Sequence, residues 1–221
     1  MDQRDFYLRL AATVGTFLAV IVALFGDRIR ASLFRPKLSL GLLTPLGEAT
    51  PAFVPLNTGT VAGNARYHHV QLSNSSSSQW PKATSAQVCL VRVEEFGPDG
   101  NPQVRWTGEV PLRWQWHEIQ EARRDVGPPI IADLCCVMTE RGFSLQTLIT
   151  PTALGPFIIR PLGQPFDMIV TLRARATETT SPLLAIRISW DGQWADGDAE
   201  MAKHLVVATL RPAVHPYDLH Y

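Results

Sequence analysis

The sequence predicts a mainly β protein: an antiparallel β-sandwich, immunoglobulin-like or of related topology, preceded by one N-terminal transmembrane α-helix. Three observations predict it. Residues 10–25 form an uncharged apolar run. Short segments with alternating apolar and polar residues follow, and the 15 glycines and 17 prolines lie mostly between those segments. Because almost no helix separates the segments, a parallel sheet is excluded. A small closed β-barrel is the alternative.

The apolar run sets the domain organisation. A helix of about 20 residues rises about 30 Å, which matches the hydrocarbon thickness of a bilayer. A cleaved signal peptide fits less well, because Asp2 and Asp5 flank Arg4 and no small-residue cleavage site ends the run. The predicted segments are a short tail (1–5), the transmembrane helix (6–26), a basic juxtamembrane segment (27–37), a soluble β domain (38–211) and a C-terminal tail (212–221).

Charge predicts the orientation in the membrane. The basic residues outnumber the acidic ones only in the first 37 residues, so the positive-inside rule places the β domain in the cytoplasm, against the plasma (inner) membrane. The acidic excess of the remainder argues against general nucleic-acid binding. The odd number of cysteines agrees with a reducing compartment. The residues expected to contact lipid head groups are Arg28, Arg30, Arg35 and Lys37.

The apolar helix carries a stripe of small residues on one face. Ala11, Gly15, Ala19 and Ala23 recur every fourth position. Such a stripe lets two helices approach closely in lipid, so it predicts a homo-oligomer. A chance alignment is the alternative, because alanine and glycine are common in membrane helices.

Alternating hydrophobicity predicts the strands of the β domain in chain order. Residues 44–65 lack a period and are predicted as a long loop, and residues 117–124 as a short helix. Pro98 to Asn101 form a turn that makes a hairpin of the segments on either side. The predicted strands are 37–42, 66–72, 86–96, 104–116, 130–138, 143–149, 166–176, 184–190 and 204–210.

Alternation also assigns side chains to faces of these strands. Val88 and Leu90 are expected on one face of their strand, with Cys89 and Val93 on the other. His68 and His69 are adjacent and are expected on opposite faces. The face expected to be apolar in segment 104–116 consists of Val110, Leu112, Trp114 and Trp116.

The acidic segment 191–200 could hold Ca²⁺, but its spacing is not that of an EF-hand. We expect Asp196 or Asp198 to cap a short helix instead. His117 with Glu121, and Glu200 with His204, have the i, i+4 spacing of zinc ligands, yet surface pairs are the favoured interpretation.

The sequence predicts no catalytic residue, metal site or cofactor. The nucleophile elbow, the phosphate loop, the dinucleotide fingerprint and the zinc-protease motif are absent from it. Cys135 and Cys136 lie in an apolar run, where burial suppresses thiol reactivity. On a strand they point to opposite faces, so we expect at least one of them to be a core residue.

Tryptophan and arginine provide the predicted ligand site. The domain is rich in tryptophan, and an exposed indole beside a guanidinium can stack on a base or a peptide. The residues of this predicted site are Trp114, Trp116, Trp194, Arg113, Arg173 and Arg175.

These observations predict a membrane-anchored, non-enzymatic β-sandwich module that binds an unknown protein or small molecule and self-associates through its helix. One alternative is a ligand-gated membrane effector whose β domain senses a small anion such as a nucleotide. Its layout is similar to that of bacterial defence effectors joining transmembrane helices to a β-barrel sensor, although no motif is shared. A further alternative is a membrane-bound hydrolase with an unrecognised site.

If the small-residue stripe mediates assembly, crosslinking of the full-length protein in membranes should give discrete oligomers. Gly15→Leu and Ala19→Leu should lose them, because a large side chain keeps the helix backbones apart. Val14→Leu, outside the stripe, should behave like the wild type. Monomers for all four proteins would show that the helix is only an anchor.

Overall fold

The structure is a computed structural model that describes residues 7, 12–17, 19–21, 23, 25–26, 36–56, 59–74, 82–115 and 121–210, with backbone alone for 52–56 and 59–62. The strands within these residues are β1 (Leu38–Leu42), β2 (Glu48–Leu56), β3 (Gly59–Asn74), β4 (Ala83–Phe96), β5 (Pro102–Pro111), β6 (Arg113–Trp114), β7 (Arg124–Val126), β8 (Ile130–Met138), β9 (Gly142–Leu145), β10 (Ile159–Arg160), β11 (Phe166–Arg175), β12 (Leu184–Trp190) and β13 (Leu205–Thr209). Two short helices are α1 (Gly155–Ile158) and α2 (Asp198–His204).

These strands form two antiparallel sheets. The seven-stranded sheet has the order β1-β3-β8-β9-β10, with β2 also pairing with β3 and β6 with β8. The six-stranded sheet has the order β13-β12-β11-β4-β5, with β7 also pairing with β4. One buried cluster draws side chains from both sheets. The predicted mainly β, antiparallel class is confirmed, and the arrangement is consistent with a sandwich.

Aromatic side chains join the two sheets inside this core. The ring centroids of Phe143 (β9) and Phe166 (β11) are 4.6 Å apart, and Phe166 lies 5.9 Å from Trp190 (β12) with an edge-to-face geometry. Tilted and edge-to-face pairs match the charge distribution of aromatic rings and strengthen packing beyond area burial. The cluster therefore holds β9 of one sheet against β11 and β12 of the other.

The predicted hairpins are confirmed. β4 pairs with β5 across the turn at 97–101, and β11 pairs with β12 from Phe166–Trp190 to Leu172–Leu184. Alternation worked here because one face of each strand is buried and the other is largely polar. The cysteines Cys89, Cys135 and Cys136 are unpaired and buried, as expected.

The prediction of a loop at 44–65 is wrong. β2 and the first half of β3 form a hairpin, with Glu48 opposite Tyr67 and Leu56 opposite Gly59. Pro51 and Pro55 hid this strand in the sequence, since proline cannot donate to a ladder. The structure accommodates both prolines because β2 is an edge strand whose one described partner is β3.

The segment predicted as one strand at 104–116 divides between the sheets. The Leu112 amide donates to Val88 O in the six-stranded sheet, and the Arg113 amide donates to Gln146 O beside the seven-stranded sheet. Val110, Leu112 and Trp114 are buried, as expected, while Trp116 lies outside the described residues.

Two local assignments are also corrected. A register shift between Leu90 and Arg92 puts Val93 in the core with Leu90, rather than on the face of Cys89. The prediction of a helix at 117–124 is wrong for residues 121–124, because residues 121–123 are irregular and β7 begins at Arg124. Residues 117–120 lie outside the described residues.

The N-terminal segment is described only in part. All of its described positions between 7 and 26 are helical. Among the described residues, however, no helix has the length and apolar character needed to cross a membrane. The structure therefore gives no support to the predicted transmembrane helix. Ala11, Arg28, Arg30 and Arg35 lie outside the described residues.

Truncating Phe143 should test the aromatic cluster. Phe143→Ala removes a fully buried ring that contacts Phe166 and Trp190, so the free energy of unfolding should fall by about 3–5 kcal/mol. Ile149→Ala, at a position that is 58% exposed, should change it by less than about 0.5 kcal/mol. Urea unfolding measures both, and equal losses would contradict this account of the core.

Candidate functional site

Polar side chains gather on the outer face of the seven-stranded sheet, where β3 pairs with β8. Tyr67 lies opposite Cys136, and His69 lies opposite Asp133. The register shifts between His68 and His69, so β8 carries one extra residue, Leu134. Without this bulge, Asp133 and Cys136, three positions apart, would point to opposite faces. The bulge therefore brings the imidazole and the carboxylate together.

His69 is held at the centre of this group. Its Nδ1 lies 2.9 Å from Asp133 Oδ1, and its amide donates to Thr44 Oγ1 at 2.9 Å. A carboxylate accepts hydrogen bonds, so this contact favours the tautomer that carries the proton on Nδ1. Nε2 is then an acceptor facing Gln115 Nε2 at 3.3 Å, with Glu48 Oε2 3.5 Å away.

A pocket of about 210 Å³ opens beside this histidine. The Tyr67 ring lies parallel to the imidazole, with centroids 6.2 Å apart. Burial raises the pKa of Tyr67 to about 12, so the phenol stays protonated at neutral pH. The lining combines two carboxylates, an aromatic ring and amide and hydroxyl groups, and consists of Glu48, Thr50, Pro51, Tyr67, His69, Gln115 and Asp133. We call it the His69 pocket.

The residues of the predicted ligand site do not come together. Trp114 is buried in the core, and Trp194 is half-buried and donates from Nε1 to Asp196 Oδ1. Arg113 lies on β6 in the seven-stranded sheet, whereas Arg173 and Arg175 lie on β11 in the other sheet. Trp116 is outside the described residues. Arg113 lies close to the His69 pocket, two positions before Gln115 in the chain, whereas Arg173, Arg175 and Trp194 do not line it.

The acidic segment near α2 fastens the base of the β2–β3 hairpin. Asp196 Oδ1 accepts from Asn64 Nδ2 at 3.1 Å, and Asp198 Oδ1 lies 2.7 Å from Arg66 Nη2. The expected capping role is wrong: Gly197 is the N-cap, and no side chain caps the helix. Among the described residues, no cluster of His, Cys, Asp and Glu suits a metal ion.

Two basic side chains are buried on the inner face of β3. Arg66 and His68 are each 1% exposed, and His68 Nδ1 donates to Thr44 O at 3.0 Å. Burial, chiefly, lowers the pKa of His68 to about 4. Gly47, at φ +74°, closes over them, since a Cβ there would lie 2.5 Å from Arg66 Cγ. The 43–47 turn thus seals this end of the domain and supports Thr44 against both histidines.

The thiols do not provide a nucleophile. Burial raises the pKa of Cys89 and of Cys136 to about 11, and it raises that of Cys135 as well. A thiol with a raised pKa carries little thiolate at neutral pH. Cys136 Sγ instead joins a network on the outer face with Ser144 Oγ and Gln146 Nε2.

A scan against protein-family models and a search of curated proteins found no match to this chain. Sequence motifs do not reveal His69, Asp133 and Glu48 as one site, because the three come from different strands and share no short spacing. The one available signal was Asp133, a lone acidic residue inside an otherwise apolar segment.

Neutral, buried His68 should make stability depend on pH. Its folded pKa of about 4 lies below the unfolded value of about 6.5, so only the unfolded chain binds the proton between these values. The free energy of unfolding should therefore fall by about 3 kcal/mol as the pH is lowered from above 6.5 to 4.

Urea unfolding at pH 7 and pH 4 measures this loss. His68→Gln should flatten the dependence by about that amount, whatever its effect at pH 7. Gln103→Ala, which truncates an exposed side chain that does not titrate, is the control and should keep the wild-type slope. Equal slopes in all three proteins would assign the pH dependence to other groups.

Proposed function

We propose that this chain is a membrane-tethered, non-enzymatic binding module whose β domain holds a basic side chain of a partner protein in the His69 pocket. The observation that carries the proposal is the composition of that pocket: two carboxylates, Glu48 and Asp133, beside the ring of Tyr67. A guanidinium or ammonium group is favoured by both features, since carboxylates pair with it and an aromatic face attracts it.

Glu48 is the group that best suits a partner's cation. Its side chain is half exposed, and the 3.5 Å between its Oε2 and His69 Nε2 exceeds a normal hydrogen bond. The carboxylate therefore keeps its capacity to accept a bidentate pair from arginine. Asp133 is more buried and is already bonded to His69, so it contributes mainly charge and orientation.

The position of the pocket suits a soluble partner. The Lys37 amide donates to Asn74 Oδ1 at the end of β3 nearest the N-terminal segment. His69 lies five residues further along β3, which corresponds to about 17 Å. The proposal takes β3 to run away from the bilayer, so that the pocket stands clear of the head groups and within reach of a protein in the aqueous phase.

Membrane tethering rests on the apolar run at 10–25 and on the exposure of its large side chains. Val14, Phe17, Val20 and Phe25 are 45–66% exposed on the described helical positions. An exposed apolar surface of this kind is stable when lipid or another helix covers it. Tethering raises the effective concentration of the module at the surface, so modest affinity in the pocket suffices.

A hydrolase is the second candidate, because His69 and Asp133 resemble the base and orienting residue of a nucleophilic triad. The pocket lacks a good nucleophile among its lining hydroxyl groups, which are those of Thr50 and Tyr67, and this favours binding over catalysis. A phenol with a pKa of about 12 is a poor nucleophile at neutral pH. His69 Nε2, the atom that would take a proton, faces Gln115 instead.

The proposal is tested by titrating the full-length protein, in uncharged detergent, with N-acetyl-arginine methylamide while recording NMR signals of His69 and Gln115. The neutral isostere N-acetyl-citrulline methylamide is the matched probe. Arginine should give saturable shifts and citrulline should not, because only the guanidinium pairs with the carboxylates.

Glu48→Gln should weaken arginine binding about tenfold, which corresponds to one charge-assisted pair. Glu109→Gln, which removes a carboxylate of similar exposure from the other sheet, should leave the affinity unchanged. Equal binding of both probes, or the same affinity in Glu48→Gln as in the wild type, would refute a cation site.

A further inference from the structure

A second pocket, of about 260 Å³, lies on the same outer face on the other side of β6. Two of its lining residues are arginines, Arg113 and Arg141, and none is acidic. This composition is the reverse of the His69 pocket. The other lining residues are apolar or carry hydroxyl and amide groups, and they include Thr147. We call it the Arg113 pocket.

The two arginines differ from three arginines of the six-stranded sheet. There, Arg92, Arg175 and Arg187 each pair with a carboxylate at 2.5–2.8 Å. Arg113 and Arg141 make no such ion pair with any described residue, although both side chains are exposed. Arg113 Nε donates to Thr147 O at 3.1 Å, which orients the guanidinium along the pocket wall.

Thr147 supplies an independent observation. The residue is 3% exposed, and its hydroxyl is buried without a hydrogen-bond partner among the described residues. Buried hydroxyl groups are nearly always paired, because an unpaired one loses its hydration without compensation. Thr147 lines the same pocket as the two arginines, and an anionic ligand bound there would give this hydroxyl a partner.

We infer that the Arg113 pocket binds a small oxyanion, a phosphate or a carboxylate group. Arg113 and Arg141 provide the charge, and the Thr147 hydroxyl provides a neutral donor. Arginine suits this role because its planar donors match the oxygen spacing of phosphate and carboxylate. The inference rests on different residues from the cation site at His69, so either can fail without the other.

The relation between the two pockets defines the ligand class more closely. Arg113 and Gln115 are two residues apart, one lining each pocket, and Arg113 pairs in register with Asp133. The basic Arg113 pocket and the acidic His69 pocket thus lie side by side on the same face of the seven-stranded sheet. A ligand that carries an anionic group near a cationic one matches this order of charges.

The inference is tested by titrating the full-length protein, in uncharged detergent at constant ionic strength, with inorganic phosphate, acetate and chloride. NMR signals of the arginine Nε–H groups and of the Thr147 amide report binding. Phosphate or acetate should give saturable shifts at Arg113 and Arg141, and the tighter of the two identifies the oxyanion. Chloride should give none.

Variants separate a site from general screening. Arg141→Gln should weaken oxyanion binding about tenfold, and Thr147→Val should weaken it by a smaller factor. Arg173→Gln removes an arginine from the opposite sheet and should leave the affinity unchanged. Arg141 makes no side-chain hydrogen bond with a described residue, so its loss should not disturb the fold. Shifts that do not saturate, or equal affinities for Arg141→Gln, Arg173→Gln and the wild type, would overturn the inference.

Discussion

The bulge in β8 is the constraint on which the rest of the structure depends. β8 is central in its sheet, so it must pair with β3 on one side and with β6 and β9 on the other. It must also bury one face against the six-stranded sheet. The extra residue at Leu134 satisfies both demands, since Leu134 and Cys135 enter the core in succession while Asp133 and Cys136 face outward. A regular strand of the same sequence would bury Asp133 or expose Cys135.

The register between β3 and β8 determines which side chains are neighbours on the outer face. Asp133 meets His69 across the ladder, Cys136 meets Tyr67, and Arg113 is brought beside them by β6. Cross-strand neighbours have Cβ atoms about 5 Å apart, so a shift of one residue would separate every one of these pairs. The outer face of the sheet is therefore polar around β6, with an acidic pocket on one side of this strand and a basic pocket on the other.

The β2–β3 hairpin is held by polar contacts to buried Arg66 and exposed Asn64 as well as by apolar packing. Arg66 reaches Leu46 O and the carboxylate of Asp198, and Asn64 reaches Asp196. The ladder between β3 and β8 fixes Tyr67, and through it Glu48, whereas these contacts fasten the hairpin where that ladder ends, since a two-stranded ribbon is marginal by itself. The acidic run before α2, which resembled a cation loop in the sequence, has this structural role because the basic and amide groups of β3 lie opposite it.

Local sequence predicted the strands whose two faces differ, such as β11 and β12, because apolar and polar residues alternate along a strand that buries one face. It also predicted the hairpins that form around clear turns. It also predicted that the cysteines are buried, because each lies within an apolar segment. Local sequence could not reveal β2, because a strand tolerates prolines only when it lies at the edge of a sheet. Whether a strand lies at an edge is decided by the whole sheet and not by the strand's own residues. The His69 and Arg113 pockets were decided by tertiary structure. Glu48 and Asp133 of the His69 pocket are 85 positions apart in the chain, and a one-residue bulge that alternation does not reveal sets which residues share a face.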